Sequence, residues 1–212
     1  MTKTERLEHI LNHFNAQQPE ITTELTYGST FQLLCAVVLS AQCTDKRVNM
    51  VTPALFSRFP SAKDMAQAEA GDILDYIASV SYPNAKAGHL AAMAKKLVEN
   101  FGGEVPETMD ELTSLPGVGR KTANVMLAVA FDKAAMPVDT HVFRVSHRLK
   151  LVPKTADTPE KVERHLTRLI PGHLLSKAHH WLLLHGRYTC TARRKAHCEK
   201  CEIADFCPSK NV

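Results

Sequence analysis

No apolar run in these 212 residues approaches the length that a bilayer-spanning helix needs. The opening Met1-Thr2-Lys3-Thr4-Glu5-Arg6 leads directly into an amphipathic stretch, without the apolar core of a secretory signal. Membrane and secreted classes are set aside, and a cytoplasmic, nucleoid-associated protein is expected. Structural disulfides are rare in such a reducing compartment. Strand-like alternation is sparse, and neither a tandem repeat nor a low-complexity stretch occurs. What remains is an all-α chain of about ten helices, whose 44% hydrophobic content can bury one large core or two moderate ones.

The helices announce themselves by period and by punctuation. Leu7, Ile10, Leu11 and Phe14 make an i, i+3, i+4, i+7 stripe that ends near Pro19. Residues 31–41, after a Ser29 or Thr30 cap, are almost wholly apolar and predict a central buried helix. Thr44 or Asp45 starts a helix that Pro53 is expected to interrupt, and Ser61 and Asp64 have the spacing of a capping pair. Gly71 is expected to divide two short helices. Pro83 fits a first helical position for a helix running to Asn100 and closed by Gly102-Gly103. Thr158-Pro159-Glu160 opens another that stops by Pro171.

The net charge of +4 hides a division along the chain. Residues 1–140 carry 12 Lys and Arg against 16 Asp and Glu, whereas residues 141–212 carry 14 against 6. The basic last third is suited to a polyanion. It also holds four of the six cysteines, Cys190, Cys198, Cys201 and Cys207, in the pattern C-x7-C-x2-C-x5-C. Four thiolates so close in sequence can wrap one tetrahedral metal ion or one iron–sulfur cube, with loops that close at little entropic cost. Zinc ribbons usually pair two C-x2-C knuckles, and this chain has one. Arg193, Arg194 and Lys195 make the longest loop of the motif basic and place candidate phosphate contacts there. Cys35 reads as a small core residue and Cys43 as incidental.

A second segment carries chemistry: Leu112 to Ala123, with Leu115-Pro116-Gly117-Val118-Gly119-Arg120-Lys121 between two helices. Pro116 ends one helix, the two glycines permit a tight turn, and the apolar run Val125–Ala130 begins a buried helix. This is a helix-hairpin-helix spanning about 112–131. Its turn lets amide N–H groups approach a phosphate oxygen, and the following helix directs its positive end there. Leu115, Gly117, Val118, Gly119 and Arg120 are thus the candidate backbone-binding residues, a contact that reads no bases. The positive end of the helix disfavours an ammonium at Lys121. An apolar wall around it is expected to help keep the amine neutral and nucleophilic. Asp139, in Pro137-Val138-Asp139-Thr140-His141, has the position of a helix N-cap, and His141 is expected to bond locally.

Taken together, the hairpin LPGVGRKTAN, the downstream VDTHVFRV, the early LLCAVVLSAQCTD and the terminal HGRYTC with three further cysteines resemble the endonuclease III family of helix-hairpin-helix DNA glycosylases. The resemblance covers residues 1–207 with the motifs in order. It implies a bifunctional DNA glycosylase and AP lyase of base excision repair, working as a monomer on oxidised pyrimidines in double-stranded DNA. It implies a [4Fe-4S] cluster on the four cysteines, Lys121 as the Schiff-base nucleophile and Asp139 as the catalytic carboxylate. It implies two helical domains flanking a DNA-binding cleft: a six-helix barrel over 25–135, and a cluster domain of 1–24 plus 136–212 with its cluster loop at 190–207. Gln42 matches the family's polar residue that fills the gap left by an extruded nucleotide. Tyr82 stands where the family has a wedge, often aliphatic; the plainer expectation is that it covers the core beneath the next helix. The family's first cysteine loop usually has six residues, and here it has seven.

Two other readings stay in view. A non-catalytic damaged-DNA-binding module would use the hairpin and the cysteine loop but would need neither Lys121 nor Asp139. An adenine mispair glycosylase of the same superfamily usually lacks the lysine and carries a further C-terminal domain.

Overall fold

A computed structural model describes residues 1–192 and 197–210, and among them the chain is all-α, with eleven α-helices, three short 3-10 turns and no strand. It divides into two compact units, Met1–Thr23 with Asp132–Val212 and Glu24–Phe131. The division falls one residue before the expected 24/25 boundary and four before the expected 135/136 boundary.

The continuous unit holds seven helices: α2 (Thr30–Leu39), α3 (Asp45–Arg58), α4 (Ala62–Met65), α5 (Ala70–Ile77), α6 (Pro83–Phe101), α7 (Met109–Ser114) and α8 (Arg120–Val129). Helix α2 is central. Phe31 and Leu33 to Leu39 are all buried, and α2 packs against α3, α6 and α8. Hydroxyl caps set the helix starts: the side chains of Ser29, Thr44, Ser61 and Thr108 accept from the amides of Gln32, Arg47, Asp64 and Glu111. Cys35 is fully buried, and that burial pushes its thiol pKa up.

Two expectations fail in this unit. Pro53 does not interrupt α3, which runs through it from Asp45 to Arg58, with Val48, Thr52, Leu55 and Phe56 buried on one face. Packing of that face outweighs the one main-chain bond that a proline forfeits. Gly71 does not divide two helices either. It lies in the first turn of α5, where its amide would lack an intrahelical partner in any case, and the break falls earlier, between Met65 and Ala70.

The discontinuous unit is built from α1 (Lys3–Gln17), α9 (Thr140–Arg148), α10 (Pro159–Leu169) and α11 (Leu175–Tyr188). Its core joins Leu7, Ile10 and Leu11 of α1 to Val142 and Val145 of α9 and to Ala178, Trp181 and Leu182 of α11. The Trp181 indole donates to Gln18 O at 3.1 Å, which ties the end of α1 to α11. Gly186 of α11 is where α9 comes closest: a Cβ there would lie 2.9 Å from His141 Cβ. Beyond Tyr188 no α-helix forms among the described residues, only 3-10 turns at Cys198–Lys200 and Ala204–Phe206.

Candidate functional site

The hairpin turn joins α7 to α8 within the continuous unit. Leu115 and Val118 are buried, and their amides donate to Leu112 O and Leu115 O at 3.1 Å each. These two residues therefore build the turn from inside. The amides of Gly117 and Gly119 donate to no acceptor among the described residues. Gly117 has φ +78° and an added Cβ would fall 2.8 Å from His89 Cβ on α6, so both backbone conformation and space demand glycine. Gly119 is the N-cap of α8, and no carboxylate stands in that helix's first turn. Arg120 and Lys121 occupy the first two helical positions and are exposed. Lys121 is thus exposed rather than enclosed by the expected apolar wall.

Gln42 and Tyr82 are brought together in the same unit. Both are exposed, and both take left-handed backbone, φ +54° and +55°, which is costly for residues with a Cβ. Tyr82 is 65% exposed, so it does not cover the core as the plainer expectation had it. It is the N-cap of α6 without a side-chain cap bond, and Pro83 follows at the first helical position. The hydroxyl of Ser81 donates to Gln42 O at 2.8 Å. Lys86, one turn into α6, is 5% exposed, and its ammonium donates to Leu39 O at 2.8 Å and Ala41 O at 2.7 Å. Burial lowers the Lys86 pKa, an effect that the nearby Cys43 opposes.

Asp139, in the discontinuous unit, is the N-cap of α9 and half-buried. Its Oδ1 alone accepts both capping bonds, from the amides of His141 at 2.9 Å and Val142 at 2.8 Å. Oδ2 accepts none among the described residues and remains available for chemistry. His141 bonds locally, its Nδ1 lying 3.2 Å from Arg144 Nη2.

Cys190, Cys198, Cys201 and Cys207 line one cavity of about 100 Å3, together with Arg148 and His185. Among the described residues no three Cys, His, Asp or Glu side chains close around a single ion. Arg148 Nη1 donates to Cys190 Sγ at 3.2 Å and to Thr191 O at 2.6 Å, while Arg144 Nη2 donates to Gly186 O at 2.7 Å and Cys190 O at 3.1 Å. Burial pushes the Cys201 and Cys207 thiols up, so thiolates there require positive charge within the cavity. Burial also pushes His185 down to about 4, leaving a neutral ring whose Nε2 lies 3.9 Å from Cys201 Sγ. None of the six cysteines is in a disulfide. Arg193, Arg194 and Lys195 lie outside the described residues.

The sequence reading missed Lys86, Ser81, Arg144 and Arg148. Each acts on a main-chain carbonyl or a sulfur between 39 and 47 residues away, and Arg144 also meets the His141 ring one turn away. No local pattern encodes such partners. The one available signal was Arg144 and Arg148 at i and i+4 on a helix, which reads equally as a solvated face.

Residues 35–172 match the family model of HhH-GPD superfamily base excision DNA repair proteins. Endonuclease III of Haemophilus influenzae is 43% identical over 210 residues, covering 99% of this chain and 98% of its own. Endonuclease III of Escherichia coli K12 is likewise 43% identical, with the same coverage of both chains. Among solved structures, a trapped endonuclease III–DNA covalent intermediate in an estranged-adenine complex superposes with a TM-score of 0.91 at 38% identity, covering 99% of this chain and 98% of the other. A non-covalent endonuclease III–DNA complex also gives 0.91, at 37% identity, with 99% and 97% coverage. No helix among the described residues is long and apolar enough to cross a membrane. With the hairpin, the capping aspartate and the four-thiol cavity in place, the chain belongs to the endonuclease III family of HhH-GPD superfamily base excision DNA repair proteins.

Proposed function

We propose that this chain is a bifunctional DNA glycosylase and AP lyase that removes oxidised pyrimidines from double-stranded DNA, working as a monomer in the cytoplasm and associated with the nucleoid. The observation that carries the reading is the hairpin: two unused glycine amides and the uncapped start of α8 suit a phosphate, with Lys121 in the helix's first turn. The relatives whose structures are so similar are DNA complexes, one of them covalent.

In this reading Lys121 Nζ attacks C1′ of the damaged nucleotide. A C–N bond forms, and the glycosidic bond breaks with its electron pair going to the departing base, which gains a proton. Opening of the sugar ring gives the Schiff base. Removal of a C2′ proton then breaks the C3′–O bond and expels the 3′ phosphate, and water hydrolyses the imine to release Lys121. Asp139 Oδ2 stabilises the positive charge that develops at the sugar and assists proton transfer from the amine, while Oδ1 keeps the side chain fixed. Gln42 enters the gap left by the extruded nucleotide, Tyr82 wedges beside it, and Gly117, Gly119 and Arg120 hold the backbone, with Leu115 and Val118 shaping the turn.

The four cysteines hold a [4Fe-4S] cluster. Four sulfurs line one cavity, the chain has one C-x2-C knuckle where zinc ribbons usually pair two, and N–H donors to Cys190 suit thiolate ligands. When bound, the cluster cross-links residues 190–207 and carries no step of the reaction.

Borohydride trapping on duplex DNA containing an oxidised pyrimidine tests the reading. The native protein is expected to form a covalent adduct, and Lys121→Gln to form none. Absence of an adduct from the native protein would return the chain to a binding module, and an undiminished adduct from Lys121→Gln would remove the lysine from the mechanism.

A further inference from the structure

Lys86 is the only Lys, Arg, Asp or Glu that is buried among the described residues. A buried ammonium is costly unless its donors are satisfied, so its position calls for a reason. It reaches from the first turn of α6 to two carbonyls at the end of α2, Leu39 O and Ala41 O, where the helix dipole is negative. Five residues earlier, the Ser81 hydroxyl holds the next carbonyl along, Gln42 O. The amide of Lys86 also donates to Tyr82 O at 3.2 Å, which closes the first turn of α6 on Tyr82. Residues 81–86 thus grip residues 39–42 at three carbonyls. The two residues that the grip fixes, Gln42 and Tyr82, are both exposed and both left-handed.

Left-handed backbone at a glutamine or a tyrosine relaxes unless its surroundings over-determine it. Here the surroundings are this clamp. Side chains that must enter a duplex as a base leaves it gain from being held in place beforehand, because the ordering is then complete before DNA arrives.

We infer that Lys86 and Ser81 are positioning residues for nucleotide extrusion, clamping the α2 end to the α6 start so that Gln42 and Tyr82 are presented to the duplex as one rigid pair. This rests on the reading of Gln42 and Tyr82 given above. A clamp with this role affects reactions that need extrusion and sensing of the opposite base. A merely structural lysine affects every activity alike.

Lys86→Met keeps the length of the side chain and removes the charge, and Ser81→Ala removes one exposed-side bond with little risk to folding. For each, kcat/KM is measured on one oxidised pyrimidine placed opposite guanine and opposite adenine, and on a single-stranded oligonucleotide with an AP site. Both variants are expected to lose roughly tenfold more activity on the duplex than on the single strand, and to bring the opposite-base ratio towards one. Ser81→Thr is expected to restore the native ratio. Equal losses on duplex and single strand would overturn the inference. Gln42→Ala separates the two levels. If it changes the ratio and neither clamp variant does, the clamp is wrong and the Gln42 reading stands; if it leaves the ratio untouched, both fall.

Discussion

The hairpin over residues 108–130 and the cysteine segment over residues 189–210 are both candidate phosphate-reading surfaces, yet they are ordered by different means. The hairpin carries its own order: a Thr108 cap, buried Leu112, Leu115 and Val118, and a helix whose residues Ala123 to Ala128 are all buried. The cysteine segment has almost none of this. Among its described residues it contains no α-helix, and Ile203 is its one buried side chain. What it has instead is four thiols around a cavity and two arginines of α9 reaching Cys190 from outside the segment. A core can fix a turn made of main chain. A loop with so little to bury needs a cross-link, and the proposed cluster is one.

Cys201→Ala would break the comparison most severely. The remaining segment buries too little apolar surface to offset the entropy of ordering it, roughly 1–2 kcal/mol per residue of backbone. Residues 189–192 and 197–210 are expected to become protease-sensitive and to lose amide exchange protection, with loss of the broad visible absorption near ~400 nm that the proposed thiolate-ligated iron would give. Protection over 112–130 is expected to stay native. If both segments lost protection together, the two would not be ordered independently.

The reverse cut is Gly117→Ala. A left-handed residue with a Cβ costs of order 1–3 kcal/mol, and here that Cβ also meets His89 at 2.8 Å. Exchange protection over 112–130 is expected to fall by about that amount, with weaker DNA binding and unchanged absorption from the proposed cluster. A smaller effect is expected from Arg148→Met. It removes a donor from Cys190 Sγ and Thr191 O, a loss of about 1–3 kcal/mol that reads as faster release of iron to a chelator. Iron release at the native rate would leave Arg148 with no part in the order of the segment.

The same contrast explains what could be read in the chain beforehand. The hairpin is local: Pro116, Gly117 and Gly119 punctuate two periodic segments, and caps such as Ser29, Thr44, Ser61 and Asp139 sit beside the amides they bind. Local chemistry is legible in sequence. Pro53 and Gly71 misled because burial on the α3 face and the unused first-turn amide position of α5 tolerate what an isolated helix would not. Lys86, Ser81, Arg144 and Arg148 were illegible because their partners are carbonyls and a sulfur brought near by the fold. Among the described residues, those that hold the site are harder to read than those proposed to perform its chemistry.

Asp139 is where the two kinds of order can be separated most finely, because its two carboxylate oxygens have different work. Oδ1 caps α9 through His141 and Val142, and loss of such a cap costs about 1 kcal/mol. Oδ2 has no bond among the described residues, and in the proposed reaction it faces positive charge at the sugar. Asparagine keeps a capping oxygen and gives up the charge, whereas alanine gives up both. Asp139→Asn is therefore expected to melt within about 0.5 kcal/mol of native protein and to bind DNA normally, yet to slow adduct formation roughly a hundredfold or more. Asp139→Ala is expected to be slow and also less stable by about 1 kcal/mol. Measured by thermal unfolding and single-turnover trapping on one preparation of each, native-rate trapping by Asp139→Asn would confine the residue to its cap. An equal loss of stability in both variants would show that the charge, not the geometry of the cap, holds the start of α9.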